Sequence, residues 1–215
     1  MIIAVDGTAG SGKGTLSKQL SGILKLKHLD TGILYRAVSL KLINLKIKQN
    51  NIETIAIKIA NNLSWNEINK LNNNLLRTSE VSNLSSIVAK LSKVRKALFN
   101  LQRNFAHTKY KGFNGTILDG RDIGSVILPK ANYKFFLDAD IKIRAKRRTE
   151  EMLNLGIEVK EYQVLKDMIE RDKIDKTREN APLIRPKDAF FIDTSAKSIK
   201  EVLRIALKVI ENHEL

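Results

Sequence analysis

The 215-residue sequence contains no cysteine, and this absence excludes several kinds of chemistry at once. Disulfide bonds, thiol nucleophiles and thiolate metal sites all require that residue. The three histidines, His28, His107 and His213, lie far apart and match no metal-ligand spacing. We therefore predict no metal site built from protein side chains and interpret each histidine as a surface or packing residue. Catalytic chemistry in this chain must depend on lysine, arginine, aspartate and hydroxyl groups.

Long hydrophobic runs are also absent. No stretch reaches the roughly 18 consecutive apolar residues that a membrane span requires. The apolar run over residues 1–5 ends at Asp6 and is too short for a secretory signal. These features predict a soluble, cytoplasmic protein with no membrane partner. Aromatic residues make up only 6% of the chain, which argues against a nucleic-acid-binding protein that stacks bases on its surface.

The residues that are present describe a basic chain with enough apolar content for a core. Hydrophobic residues make up 43% of it, and its length predicts a single domain over residues 1–215. Basic residues number 38 and acidic residues 23, a net charge of +15 that favours a polyanionic partner. Enrichment of a whole proteome in lysine and asparagine would produce the same excess, so the charge alone does not identify the partner.

Short apolar runs alternate with helical patterns along the chain. The runs cover residues 1–5, 116–118, 133–137 and 190–192, and each is followed at once by an aspartate. Such runs are typical of buried parallel strands, and ligands bind at the carboxyl ends of such strands. The alternation predicts an α/β fold with a parallel sheet flanked by helices. We expect helices over about 13–24, 31–48, 52–61, 83–107 (two helices), 141–155, 161–176 and 199–212, with an irregular insertion over 62–80.

A glycine-rich segment joins the first predicted strand to the first predicted helix. Residues 7–13 fit the pattern G-x-x-x-x-G-K, in which backbone N–H groups surround phosphate oxygens and the lysine reaches the β- and γ-phosphates. The next position usually holds a magnesium-binding Ser or Thr but here is Gly14, so Thr15 contacts either a phosphate or a metal-bound water. The segment predicts nucleotide binding by Gly7, Thr8, Ala9, Gly10, Ser11, Gly12, Lys13, Gly14 and Thr15.

Further motifs give the sequence a recognisable family pattern. The form G-x-x-G-x-G-K-G-T resembles nucleoside monophosphate kinases, and the guanine-reading Asn-Lys-x-Asp of GTPases is missing. The blocks at 29–36, 80–83 and 118–124 follow in order, and together they resemble bacterial cytidylate kinases over nearly the whole chain. The resemblance implies a P-loop kinase fold with a small monophosphate-binding insertion at about 62–80, shorter than the family's, and a lid at about 144–180. It implies transfer of the γ-phosphoryl group of ATP to CMP or dCMP, with Mg²⁺, by a monomer.

The resemblance also assigns a reader of the nucleobase. The family's serine, arginine and aspartate match Ser86, Arg95 and Asp122 of this sequence. A carboxylate accepts from the exocyclic amino group of cytosine, while a hydroxyl and a guanidinium donate to its carbonyl and ring nitrogen. Uracil carries an acceptor in place of that amino group, so the same carboxylate repels it. We therefore expect a preference for cytosine nucleotides.

Arginines are expected to hold the rest of the acceptor. Arg36 and Arg121 match the family's monophosphate-binding arginines, and Thr31 matches a small hydroxyl residue near the same phosphate. The resemblance places three further residues, which recur at helical spacing, against the sugar and phosphate: Arg171, Asp175 and Arg178.

Catalysis is expected to consist mainly of placement and charge neutralisation. Lys13, Arg121 and Arg178 would offset charge on the transferring group. Three arginines on one helix, Arg144, Arg147 and Arg148, would either form a lid over the ATP phosphates, with Arg147 as a contact, or simply face solvent. Asp119 or Asp122 would orient a metal-bound water. A kinase for UMP, AMP or a hydroxyl acceptor, with Asp30 as the base, remains the alternative within enzymes.

Overall fold

The computed structural model describes residues 1–47, 51–71, 74–154 and 156–212. In this part of the chain the strands form one five-stranded sheet of order β2-β3-β1-β4-β5, with every adjacent pair parallel. The strands are β1 (Ile2–Gly7), β2 (Leu26–Asp30), β3 (Gly115–Gly120), β4 (Tyr133–Asp138) and β5 (Phe190–Asp193). The predicted α/β fold with a parallel sheet flanked by helices is therefore confirmed.

Helices connect the strands and cover the sheet on both faces. A short 3₁₀ turn at Leu75–Arg77 and a single π-helical turn at Ile123–Ile127 complete the described secondary structure. The helices are α1 (Lys13–Leu24), α2 (Gly32–Asn44), α3 (Ile52–Asn61), α4 (Trp65–Asn69), α5 (Ser79–Val88), α6 (Ser92–His107), α7 (Ile141–Asn154), α8 (Glu161–Thr177) and α9 (Ile199–Glu211).

The sheet contains one strand that the sequence pattern did not predict. β2 lies at an edge of the sheet and pairs only with β3. Only Leu26 and Leu29 of this strand are buried, whereas Lys27 and His28 are half-buried, so the strand has no continuous apolar run. The four runs that were predicted are confirmed as strands. Three of them form the central β3, β1 and β4, and the fourth forms the other edge, β5.

The segment 62–80 is more regular than expected, which corrects the prediction of an irregular insertion. Ser64 caps α4 by accepting from the amide of Glu67, and the Glu67 carboxylate accepts from the amide of Ser64 in return. This reciprocal arrangement is the capping box, and its S-x-x-E pattern is present in the sequence. Helix α2 ends at Asn44 rather than near 48. The predicted positions that lie outside the described residues are 48–50, 72–73, 155 and 213.

Five apolar clusters hold the described elements together, and three of them surround the sheet and the cleft. One packs α1 and α9 against one face of the sheet around Leu20, Phe135 and Ala206. A second lies on the opposite face around Phe105 and Leu118. The third packs α2, α3, α5 and α6 against one another and supports one wall of the cleft described below. Over the described residues, no helix combines the length and the apolar character needed to cross a bilayer.

The carboxyl ends of the strands bring their aspartates to one edge of the sheet. Asp30 of β2 is in register with Asp119 of β3, and Asp138 of β4 is in register with Asp193 of β5. Asp6 ends the apolar part of the central strand β1 between them. Open parallel sheets bind ligands at this edge, so the fold predicts a ligand site there.

Candidate active site

A cleft of about 1360 Å³ opens above the carboxyl edge of the sheet. Its floor is the loop between β1 and α1, one wall is formed by α2 and α5, and the other by α7 and α8. Pockets for a single drug-sized ligand measure roughly 300–1000 Å³, so this cleft has room for more than one small molecule. All the predicted site residues line it except Gly7 and Thr8.

The glycine loop has the backbone that a phosphate cradle requires. Gly12, directly before α1, adopts a φ of 87°, which side chains other than hydrogen disfavour. A Cβ atom on Gly7 would stand 2.1 Å from the carbonyl oxygen of Leu137, so this position allows only glycine. Thr8 lies beneath the loop, where its hydroxyl donates to Asp138 Oδ1 at 2.6 Å. The loop is therefore fixed from below, and its upper side faces the cleft.

Lys13 stands at the first position of α1 with its side chain over the loop. Its ammonium donates to the carbonyl oxygen of Thr8 at 3.2 Å. Burial lowers the pKa of Lys13 to about 7, and the nearby Arg121 contributes in the same direction. A polyanion bound in the loop would reverse this effect because it favours the protonated amine. The site is thus electrostatically prepared for phosphate.

The first acceptor-side residues follow β2. Arg36 Nη2 donates to Asp30 Oδ2 at 2.5 Å, and Asp30 Oδ1 accepts from the amide of Gly32 at 2.9 Å. Thr31 is buried, and its hydroxyl donates to the carbonyl oxygen of Asp119 at 2.8 Å. These contacts hold the Arg36 guanidinium at the cleft surface and link β2 to β3.

The three predicted base readers lie together on the same wall. Asp122 Oδ2 accepts from Arg95 Nη2, and a second Arg95 nitrogen donates to the carbonyl oxygen of Ala89 at 3.2 Å. The Arg95 guanidinium also stacks 5.5 Å from the ring centroid of Tyr35. Ser86, on α5, is buried and lines the cleft beside them. Tyr35 was not predicted as a site residue, although it stands one position before Arg36.

A second charged group surrounds Asp175 at the end of α8. Arg121 Nε donates to Asp175 Oδ2 at 2.8 Å, and Arg178 Nη1 lies 3.8 Å from Asp175 Oδ1. Burial alone would raise the pKa of Asp175, but Arg121 and Arg171 outweigh it and lower that pKa. Burial lowers the pKa of Arg171 to about 10, and its Nε is buried with no hydrogen-bond partner among the described residues. An anion or hydroxyl acceptor would satisfy that nitrogen.

The three arginines of α7 have different surroundings. Arg147 donates to the hydroxyl and carbonyl oxygens of Thr194, at 3.1 and 2.7 Å, and lines the cleft. Arg148 pairs with Glu151 at 2.8 Å near the surface. Arg144 is only 4% exposed, and it donates to the carbonyl oxygens of Ala139 and Ala9 and to Asp172 Oδ2. Arg144 therefore fastens α7 to α8 and to the glycine loop, which differs from the expected position over the phosphates.

This arrangement predicts that Arg144 contributes to stability. An Arg144→Met variant is expected to lose about 3 kcal/mol in free energy of unfolding, because Asp172 is left buried and unpaired. Arg148→Met, one turn along the same helix, should change it by less than about 0.5 kcal/mol. Urea titration of both variants measures the difference. Equal stabilities would contradict the structural assignment of Arg144.

Asp6 and His28 form contacts at the carboxyl edge of the sheet, although neither was predicted as a site residue. Asp6 accepts from the amides of Ile123 and Gly124 at 2.8 and 2.7 Å, at the start of the π-helical turn that follows Asp122. Burial raises the pKa of Asp6 to about 7, although those two amides oppose the shift. His28, expected to be a surface or packing residue, instead contacts Asp119 inside the cleft at 2.6 Å. A lone histidine with no motif around it gave no signal of this contact.

The arrangement as a whole is suited to binding two anionic groups and a planar polar ring. One anion would lie on the glycine loop with Lys13, and the other among Arg36, Arg121 and Arg171, while the ring would meet Asp122 and Arg95. Among the described residues, no group of three or more acidic or histidine side chains could hold a metal ion by itself. A metal at this edge would need ligands from the bound phosphates as well.

The sequence is similar to known proteins over almost its whole length. The family profile described as cytidylate kinase matches residues 3–212. A cytidylate kinase from Clostridioides difficile is 42% identical over 213 residues, covering 94% of this chain and 94% of its own. One from Xanthobacter autotrophicus is 42% identical over 211 residues, covering 98% of this chain and 97% of its own. A solved structure of an uncharacterized protein from Eubacterium ventriosum aligns with a TM-score of 0.55 at 16% identity, over 98% of both chains, and supports the fold alone.

Proposed function

Because the chain belongs to the cytidylate kinase family, a family of ATP-dependent nucleoside monophosphate kinases, we propose that this cleft transfers the γ-phosphoryl group of ATP to CMP or dCMP. The products are ADP and CDP or dCDP, in pyrimidine nucleotide metabolism. The observation that carries the proposal at the level of residues is the position of the Arg95–Asp122 pair. It lies in one cleft with the glycine loop and Lys13.

The base-reading pair explains a preference for cytosine. Asp122 is buried, its Oδ2 is held by Arg95, and its Oδ1 lies 3.8 Å from Arg178 Nη2. These cations orient the carboxylate, and its oxygens can accept hydrogen bonds from a bound base. The exocyclic amino group of cytosine can donate to it, whereas the carbonyl oxygen of uracil would face a negative charge. Discrimination then comes from repulsion as well as attraction.

The transfer step needs placement more than proton chemistry. The accepting phosphate is already an anion near neutral pH, so no general base has to activate it. We assign Arg36, Arg121 and Arg171 to the acceptor phosphate, and Lys13 to the donor phosphates, with Arg178 and Arg147 at the margins of the transferring group. Asp175 would accept from the sugar hydroxyls. These charges offset the negative charge that spreads over the transferring oxygens.

Magnesium fits the donor end of this cleft. The carboxylate of Asp119 faces the first turn of α1, since its Oδ1 would lie 4.0 Å from a Cβ on Gly14. Carboxylate and hydroxyl oxygens, with phosphate and water, are the ligands that Mg²⁺ prefers. We propose that Asp119 and Thr15 hold the ion through its waters. When bound, the ion supplies additional neutralisation of phosphate charge.

The structure disfavours the alternative of a hydroxyl acceptor with Asp30 as the base. Both oxygens of Asp30 are engaged, one by Arg36 and the other by the amide of Gly32. Arg36 and Lys13 outweigh the effect of burial and lower the pKa of Asp30. A carboxylate with a lowered pKa is a poor proton acceptor near neutral pH. A phosphate acceptor, which needs no base, suits this site better.

The proposal also covers the segments that move during catalysis, the cellular compartment and the oligomeric state. We propose that residues 62–80 act as the monophosphate-binding insertion, and that residues 144–180 act as a lid that excludes water. ATP and CMP are small metabolites of the cytoplasm, so the enzyme would act there. It would act as a monomer, as the family resemblance implies, and it would need no nucleic-acid partner.

The direct test measures ADP formation from ATP and Mg²⁺ with CMP, dCMP, UMP, AMP or no acceptor. We expect kcat/KM for CMP and dCMP to exceed that for UMP and AMP by at least about tenfold. One polar contact to a base typically provides discrimination of about this size. A preference for UMP or AMP would retain the kinase and reject the assignment of Ser86, Arg95 and Asp122. ADP release without an acceptor would indicate an ATPase.

A further inference from the structure

His28 and Asp119 form a contact that depends on strand register. His28 of β2 pairs with Ile117 of β3, and Asp119 stands two residues further along β3. The two side chains are therefore diagonal neighbours on one face of the sheet, within reach of a long side chain. Their atoms Nε2 and Oδ2 lie 2.6 Å apart. The His28 side chain is 17% exposed and that of Asp119 is 4% exposed, so the contact is largely shielded from solvent.

The direction of this hydrogen bond follows from the chemistry of its partners. A carboxylate oxygen accepts, so the donor in this contact is the N–H at Nε2 of His28, which assigns the tautomer of the ring. The bond occupies Oδ2 of Asp119. Among the described residues, no group hydrogen-bonds Oδ1, which faces the first turn of α1 at Gly14. One oxygen is thus restrained and the other is directed at the donor end of the cleft.

Resting on the proposed function, we propose that His28 is a positioning residue for the magnesium–nucleotide complex. By holding Oδ2, it fixes the rotation of the Asp119 carboxylate so that Oδ1 meets the waters of the bound ion. Hydrogen bonds of this kind orient carboxylates that hold metals, and losing one typically reduces metal affinity about tenfold or more. His28 itself would touch neither substrate nor ion.

A matched pair of variants tests this role. The side-chain nitrogen of glutamine can occupy the position of His28 Nε2, whereas that of asparagine reaches only the position of Nδ1. We expect His28→Gln to retain most of the strengthening of ADP binding by magnesium, and His28→Asn to lose it. Both replacements are polar and lie on an edge strand, so we expect both to fold, as thermal unfolding would verify. His107→Asn, at the exposed end of α6, is the control.

The readout is the strengthening of ADP binding by magnesium, measured by calorimetry with excess EDTA and with excess Mg²⁺. In His28→Asn we expect this strengthening to fall about tenfold, while ADP affinity in EDTA and KM for CMP stay unchanged. In an Asp119→Asn background, His28→Asn should cause no further loss, since it acts through that carboxylate. The proposal would be overturned if the two substitutions reduced the magnesium effect additively, or if His28→Asn and His28→Gln reduced it equally. It would also be overturned if magnesium strengthened ADP binding in His28→Asn as much as in the wild type.

These measurements separate the proposal from the function on which it rests. Binding of ADP and magnesium does not involve CMP, so the role of His28 can be judged whatever the acceptor is. If the wild-type protein failed to phosphorylate CMP, the proposed function would fail while the calorimetric comparison kept its meaning. If it phosphorylated CMP and His28→Asn behaved like wild type, only the inference about His28 would fail.

Discussion

A Lys13→Met variant is expected to lose about a thousandfold in kcat. The reason is that the negative charge on the donor phosphates loses the cation that neutralises it during transfer. Such a loss corresponds to about 4 kcal/mol of transition-state stabilisation. The fold should survive, since methionine fills similar space and removes a buried amine whose pKa is already lowered to about 7 by burial. We therefore expect no decrease in Tm at neutral pH. Steady-state kinetics with CMP and thermal unfolding measure the two quantities.

The control for this experiment is Lys58→Met, an exposed lysine on α3 outside the cleft. It should retain wild-type turnover. If Lys13→Met also retained turnover, the glycine loop could not be the donor site. If turnover fell only together with Tm, the lysine would be supporting the fold instead of the reaction.

Replacing Asp122 with asparagine is expected to narrow the preference for CMP over UMP by about tenfold or more. The value follows from the roughly 1–3 kcal/mol that a well-placed polar contact contributes to base discrimination. The asparagine amide can turn its N–H₂ toward the uracil carbonyl, so UMP should lose little or improve. Competition assays with both nucleotides measure the ratio directly.

The same change should also destabilise the protein, because Arg95 loses its buried partner. The cost of such a loss is about 3 kcal/mol. The substrate ratio is insensitive to this cost, since partial unfolding reduces activity toward both nucleotides equally. Asp193→Asn, on β5 at the far side of the sheet, serves as the control and should leave the ratio unchanged. An unaltered ratio in Asp122→Asn would mean that the base is read elsewhere.

The central part of the fold could be predicted because its strands are buried on both faces. Ile3, Val5, Ile117 and Leu137 have no exposed surface, and such burial requires the continuous apolar runs that sequence reading detects. The edge strand β2 is buried through only two of its residues and left no such run. The π-helical turn after Asp122 also could not be foreseen, since it depends on Asp6, more than a hundred residues away.

The site residues also differ in how far the sequence alone could predict them. Lys13 and the glycines could be identified because a local pattern determines their geometry. The assignment of Ser86, Arg95 and Asp122 to the nucleobase rests on a family resemblance and stays a prediction. Their shared position in one cleft depends on how α5, α6 and β3 pack. Arg144 was misplaced because its spacing on α7 matches that of Arg147 and Arg148. Contacts with α8, with the glycine loop and with the end of β4 distinguish the buried Arg144 from the half-buried Arg148.

The bonds of Asp6 have a consequence for how accurately the two substrates are aligned. Asp6 belongs to the strand that leads into the glycine loop, and it holds the amides that follow Arg121 and Asp122. Donor loop and acceptor residues are thereby attached to adjacent central strands of one sheet. Movement of α7 and α8 would alter solvent access and displace Arg171 and Asp175, but it would not change the spacing between the glycine loop and the backbone that carries Arg121 and Asp122. Since a misplacement of about 1 Å can cost about a hundredfold in rate, this fixed spacing preserves part of the alignment while the helices move.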